Sequence, residues 1–163
     1  LRSRAERDHV KIHPVRGGQS ISPIEGVSIE ALAPVPGYEA GDIASNNDSV
    51  VLSLRYGIRS VLLTGDAERP VEDDLVTSGK LHPVTLLKVG HHGSKTSSSE
   101  EFLNAVQPQF AVISDGYLKQ FHHPHPSVLA RLEEHHMLVF RTDQNGLVTF
   151  RTDGNHVSFQ PYR

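Results

Sequence analysis

An α/β domain is what this sequence predicts, on three observations. Apolar, β-branched runs alternate with helix-patterned segments, 163 residues suit one domain with its own core, and the residues able to do chemistry stand where apolar runs end. Open α/β sheets keep their sites at such strand ends. Eleven histidines against one methionine and no tryptophan are the compositional oddity to be explained. The absence of cysteine excludes a disulfide scaffold, a thiolate zinc site and a cysteine nucleophile. A net charge of -3 argues against broad electrostatic capture of nucleic acid, though recognition of a few phosphates through a metal needs no such surplus of Lys and Arg. No apolar run approaches the roughly 20 residues of a membrane span.

The elements follow in order. Residues 1–8, "LRSRAERD", read as the last turns of a helix that began earlier, so the chain is expected to be a piece of a longer one. "HVKIHPV" and "VSIEALAP" alternate as strands around the turn-rich "RGGQSISPIEG", and 34–45 is a loop. "SVVLSLRYG" and "IRSVLLTGD" meet at Gly57 as a hairpin whose second strand is apolar enough to be central. "ERPVEDDLVTSG" is a short helix closed by Gly79, and "VTLLKVG" a buried strand. "SSSEEFLNAV" carries a capping-box pattern and leads to the strand "QFAVISDG". After the loop "YLKQFHHPHP" come a helix, "SVLARLEEHH", and a hairpin candidate made of "MLVFRTD", the turn "QNG" and "LVTFRTDG".

Two of these strand ends and two segments between elements carry candidate chemistry. "LLTGD" delivers Asp66, a carboxylate able to hold or bridge metal ions or simply to cap the next helix, and Gly65 leaves room for a ligand or neighbouring chain. "GHHGS" delivers His91 and His92 between glycines; on an extended segment they would point to opposite sides, one to a metal and one to substrate or a second partner. Ser94 and Thr96 in "SKTSSSEE" offer hydroxyls next to a helix N-terminus, a place for a phosphate or for ordinary capping. His123 in "FHHPHP" stands in a loop stiffened by Pro124 and Pro126. His9, His13, His82, His135, His136 and His156 read as structural or exposed, and "NNDS" as a turn closed by Asx hydrogen bonds.

In this order, "NNDSVVLSLRYGIRSVLLTGD", "LLKVGHHGSKTSS", "AVISDG" and "FHHPHPSVLARL" resemble the metallo-β-lactamase domain of the ComEC/Rec2 competence protein family, from residue 10 to the end. The resemblance implies a metallo-β-lactamase-like αββα sandwich, here its C-terminal part, a mixed sheet with flanking helices. It also implies a dinuclear zinc or manganese site and hydrolysis of phosphodiesters. In DNA-uptake proteins such a domain accompanies a membrane channel, of the same or a neighbouring chain, and is implicated in degrading the strand of DNA that is not imported. A bacterial protein with this domain on the extracytoplasmic side of the membrane is the implied setting. By the same resemblance Asp66 and His92 are metal ligands, Asp66 bridging. His91, Ser94 and His123 are catalytic, and Asn47, Ser49, Thr96 and Lys119 face the substrate. Lys119 stands where many members carry asparagine.

One part of the family's pattern is absent. The early His-x-His-x-Asp-His cluster does not occur; the nearest fragment is Asp8-His9, and the two preceding positions would fall on Arg4 and Glu6. Residues 1–163 are therefore expected to be one domain that lacks its N-terminal half and binds metal poorly alone, because a catalytic zinc needs about three protein ligands. In a complete site two metals about 4 Å apart would activate water and neutralise phosphoryl charge. Two other readings stand beside this one: a non-catalytic binding or assembly module, and a phosphoesterase for a substrate other than nucleic acid, such as choline phosphate.

Overall fold

The computed structural model describes residues 2–116 and 122–163. After the short helix α1 (Arg2–Arg7) come β1 (Ser20–Ile24), β2 (Val27–Ala33), β3 (Val51–Tyr56) and β4 (Arg59–Leu63). Three strands with preceding helices follow: α2 (Arg69–Thr77) and β5 (Leu86–Lys88), α3 (Glu100–Val106) and β6 (Phe110–Ile113), α4 (Pro126–Glu134) and β7 (Leu138–Arg141). The chain continues with α5 (Thr142–Asn145), β8 (Val148–Thr152) and β9 (Val157–Pro161). β1 to β7 form one mixed sheet in sequence order, with β1 to β4 antiparallel and β4 to β7 parallel.

This order fixes where the helices go. Crossovers between parallel strands are right-handed, and β4, β5, β6 and β7 advance in one direction across the sheet, so α2, α3 and α4 are all laid on the same face. Their buried residues Val71, Leu75, Phe102, Leu103, Val128 and Leu132 meet Leu62, Leu87, Ala111 and Ile113 of the sheet. Proline in the first turn starts both α2 and α4, where its missing N–H is harmless. Gly79, at φ +65°, closes α2 as expected.

The opposite face is less covered. Leu54, Val61, Leu86 and Phe110 are successive cross-strand partners, as are Leu52, Leu63, Lys88 and Val112, and all eight are only half-buried. The β8–β9 ribbon covers one end, where Phe150 and Phe159 pack against Phe110 and Phe140 with ring centroids 4.9–5.8 Å apart.

Two expectations are corrected. Residues 9–15 form no strand; the edge strand is 20–24, inside the segment read as a turn, where Ser20 and Ile21 pair with Glu30 and Ile29. Proline at 23 is compatible with that edge position. The expected hairpin at "QNG" is also replaced: β7 joins the large sheet, 142–145 is helical, and β8 pairs with a strand not foreseen, β9. Their turn is built by Asp153, whose carboxylate accepts the N–H groups of Asn155 and His156 and is held well below the usual range by those bonds.

Candidate metal centre

The site lies at the carboxyl ends of the neighbouring strands β4, β5 and β6. Past β4 the chain turns at Gly65, φ +57°, where an added Cβ would lie 3.0 Å from both Cβ and Oγ of Ser49. The close neighbour that glycine admits is therefore the Ser49 side chain, whose Oγ accepts the N–H of Asp66 at 3.0 Å. Two residues on, Asn47 Oδ1 accepts the N–H of Glu68 at 3.1 Å. The 46–49 turn, closed by the Ser45–Asp48 capping box, thus grips the backbone that presents Asp66. Asn47 and Ser49, expected to face substrate, spend their side chains on this grip.

The histidine pair is not on an extended segment. His91 (φ 43°, ψ 46°), His92 (φ 55°, ψ 23°) and Gly93 (φ 78°) form a left-handed turn. Gly90 and Gly93 are both required by close approach: an added Cβ would lie 2.8 Å from the Ala67 carbonyl and 2.7 Å from Pro124 Cβ respectively. The turn still sends the two imidazoles apart, with centroids separated by 6.3 Å.

His92 points to Asp66. Its Nδ1 donates to the carbonyl of Ser114, beyond β6, at 2.5 Å, so the neutral ring carries its lone pair on Nε2. Nε2 lies 3.5 Å from Asp66 Oδ1, too long for a hydrogen bond. With the ring neutral, two lone-pair atoms face each other. Ligands bound at about 2.0–2.2 Å with a roughly tetrahedral angle would be about 3.3–3.6 Å apart, so the pair fits a shared cation. The bond to a backbone carbonyl is also the usual brace of a metal-ligating imidazole. Among the described residues, no group of three or more His, Cys, Asp or Glu is placed to hold a metal ion.

Lys88, at the end of β5, was read only as part of a buried strand. Its Nζ donates to the Gly65 carbonyl at 2.6 Å and lies 3.7 Å from Asp66 Oδ1, and burial draws its pKa down.

His91 faces the other way. Its Nδ1 is 3.1 Å from Glu68 Oε1, and its Nε2 3.3 Å from Asn46 Nδ2. Thr96 Oγ1 donates to the same Glu68 oxygen at 2.5 Å and lies 2.9 Å from Ser94 Oγ. Ser94 is buried and Thr96 exposed, and both hydroxyls, expected near substrate or phosphate, are engaged in this chain of bonds to Glu68. Glu68 was not foreseen, because "ERPVEDD" reads as a helix start. The His123 ring is 5.5 Å from that of His91; burial first, then His91, holds its pKa below the ordinary value. Lys119 lies outside the described residues.

The N-terminus of α3 is occupied from within the fold. The buried carboxylate of Glu72 accepts the N–H groups of Ser98 and Ser99 at 2.5 and 2.8 Å, and Ser99 caps the helix. The place considered for a phosphate is therefore filled by a side chain.

Comparison with known proteins follows this geometry. The metallo-beta-lactamase superfamily profile matches residues 43–114, from the gripping turn to Ser114. ComE operon protein 3 of Bacillus subtilis is 40% identical over 84% of this chain and 17% of its own length. Competence protein ComA of Neisseria gonorrhoeae is 40% identical over 72% of this chain and 17% of its own. Recombination protein 2 of Haemophilus influenzae is 39% identical over 68% of this chain and 14% of its own. The chain thus spans less than a fifth of these relatives. A solved structure of a mutant CmlA beta-hydroxylase shares the fold, with TM-score 0.55 and 13% identity over 81% of this chain and 32% of that one. The chain belongs to the metallo-beta-lactamase superfamily, in the branch represented by the ComEC/Rec2 competence proteins.

Proposed function

We propose that this chain is part of a metal-dependent hydrolase of phosphodiesters, acting on single-stranded DNA in DNA uptake. One observation carries the reading: Asp66 and His92, delivered by adjacent strands, face each other 3.5 Å apart, with the second nitrogen of His92 tied to a carbonyl. The names of the competence relatives supply the setting. Zinc and manganese both suit a mixed carboxylate and imidazole site.

Asp66 and His92 would hold a metal, which when bound polarises a phosphoryl oxygen and acidifies water. The remaining work falls to side chains. Lys88 places a half-buried cation beside Asp66, favouring an anionic substrate, and on the other side of the histidine turn the rings of His91 and His123 lie 5.5 Å apart. Two ligands are fewer than a catalytic site uses, so the others are proposed to come from a segment outside these residues, the missing half of an αββα sandwich. The half-buried apolar sheet face supports this, since a further layer would complete its burial. A membrane channel domain is the proposed neighbour, on the extracytoplasmic side of a bacterial membrane.

The test is metal analysis and nuclease assay of the gene product extended upstream of Leu1, beside its Asp66→Ala variant. Bound zinc or manganese and chelator-sensitive cleavage of single-stranded DNA, both lost in the variant, are expected. An extended protein that binds no metal, or cleaves DNA equally in chelator, overturns the reading. The partial ligand set among the described residues favours one rival, a binding or assembly module, for which the extended protein would bind DNA and leave it intact.

A further inference from the structure

We infer that Glu68 is the positioning residue of His91, holding the ring so that Nε2 presents a lone pair to the site. This rests on the reading above only in that it gives His91 a substrate to meet. The hydrogen-bond directions follow from simple donor counting. Thr96 has one hydroxyl proton, and its partner Glu68 Oε1 can only accept; the Thr96 oxygen then accepts from Ser94. Glu68 has no proton to give His91, so Nδ1 of the ring is the donor and Nε2 is bare, in agreement with the Asn46 amide that approaches it. Ser94, Thr96, Glu68 and His91 thus form one directed chain, anchored by the Asn47 bond to the Glu68 backbone.

An ordinary structural role does not account for this carboxylate. Glu68 is the N-cap of α2, yet its side chain makes no capping bond. It turns instead to His91, and both side chains are 23% exposed, shielded enough for the bond to survive competition from water. The left-handed backbone of His91 places the ring within reach. A neutral His91 in this tautomer accepts at Nε2 and does not donate there. Nε2, which the exposed Asn46 amide approaches at 3.3 Å, is thus an acceptor site that water or a hydroxyl group takes by displacing that amide, whereas a phosphoryl oxygen would require a donor.

Long-range ¹H–¹⁵N spectra of the full chain, with His91 assigned through His91→Asn, test this without metal or activity. The wild type is expected to hold His91 as the Nδ1–H tautomer. Glu68→Ala should release it to a mixture or to Nε2–H, and Glu68→Gln, whose amide oxygen still accepts, should retain Nδ1–H. An Nε2–H ring in the wild type, or an unchanged tautomer in Glu68→Ala, overturns the inference. Because the carboxylate caps nothing, Glu68→Ala should fold. In the metal-loaded extended protein, with bis(p-nitrophenyl) phosphate as probe, Glu68→Ala should lower kcat about 10- to 100-fold, with KM within about threefold and partial rescue by Glu68→Gln. An unchanged kcat, or no rescue, counts against positioning. A wild type that cleaves nothing refutes the proposed hydrolase and leaves the spectra to decide the tautomer.

Discussion

Replacing His92 by glycine should give a more stable protein than replacing it by alanine, the reverse of the usual order. Both variants lose the same imidazole and the same bond to Ser114, so their difference isolates the backbone. At φ 55° and ψ 23° a residue with a Cβ is strained by about 1–2 kcal/mol, which glycine escapes. Glycine in turn loses about 0.4–1 kcal/mol through the greater freedom of its unfolded chain. The balance favours glycine by up to about 1.6 kcal/mol, centred on about 0.8 kcal/mol, or about 2–3 °C in Tm for a domain of this size. The same holds at His91, φ 43° and ψ 46°. Urea denaturation of the metal-free Ala and Gly variants at each position measures it directly. An alanine variant at least as stable as its glycine counterpart at both positions would show that the turn stores no strain, and the reasoning fails. If the order holds, the two histidines are kept against a backbone preference, which points to selection for their chemistry.

Ser49→Ala leaves the half-buried N–H of Asp66 without its acceptor and should cost about 1–2 kcal/mol by denaturant midpoint. Glu72 gives a pH-dependent result. Burial raises its pKa against the pull of the Ser98 and Ser99 N–H groups, so its contribution to stability is full below the unfolded value and is lost as pH rises through the folded one. The urea midpoint of the wild type should exceed that of Glu72→Gln by more at about pH 4 than at about pH 7; a gap that widens with pH contradicts the assignment.

What the sequence made legible were features carried by local pattern. The runs ending at Asp66 and His91 are apolar and β-branched, so their strand character and the polar residues at their ends could be read together. Gly90 and Gly93 announced a tight turn, but not its handedness, because two consecutive histidines at positive φ are opposed by local preference and held by contacts with Ala67 and Pro124. β1 was hidden by Gly17, Gly18 and Pro23, and exists through its pairing with β2. β9 was missed although Asp153-Gly154 is a strong turn signal, because "QNG" competed for the same role. Glu68 and Lys88 act across distances of 23 residues in sequence, His91 with Glu68 and Lys88 with Gly65, which no local pattern reports.

The position of Lys88 links the site to the rest of the sheet. Its cross-strand partners are Leu63 and Val112, so it belongs to the half-buried apolar face, not to the face packed by helices. From there its ammonium reaches Gly65 and Asp66. Any layer laid on Leu52, Leu63 and Val112 would therefore also border the carboxylate, and would strengthen its electrostatic contacts by excluding water. On the proposed reading, burial of the open face and completion of a ligand set would be one event: the apolar stripe would supply the binding energy, and the incoming layer would bring donor atoms to within reach of Asp66 and His92.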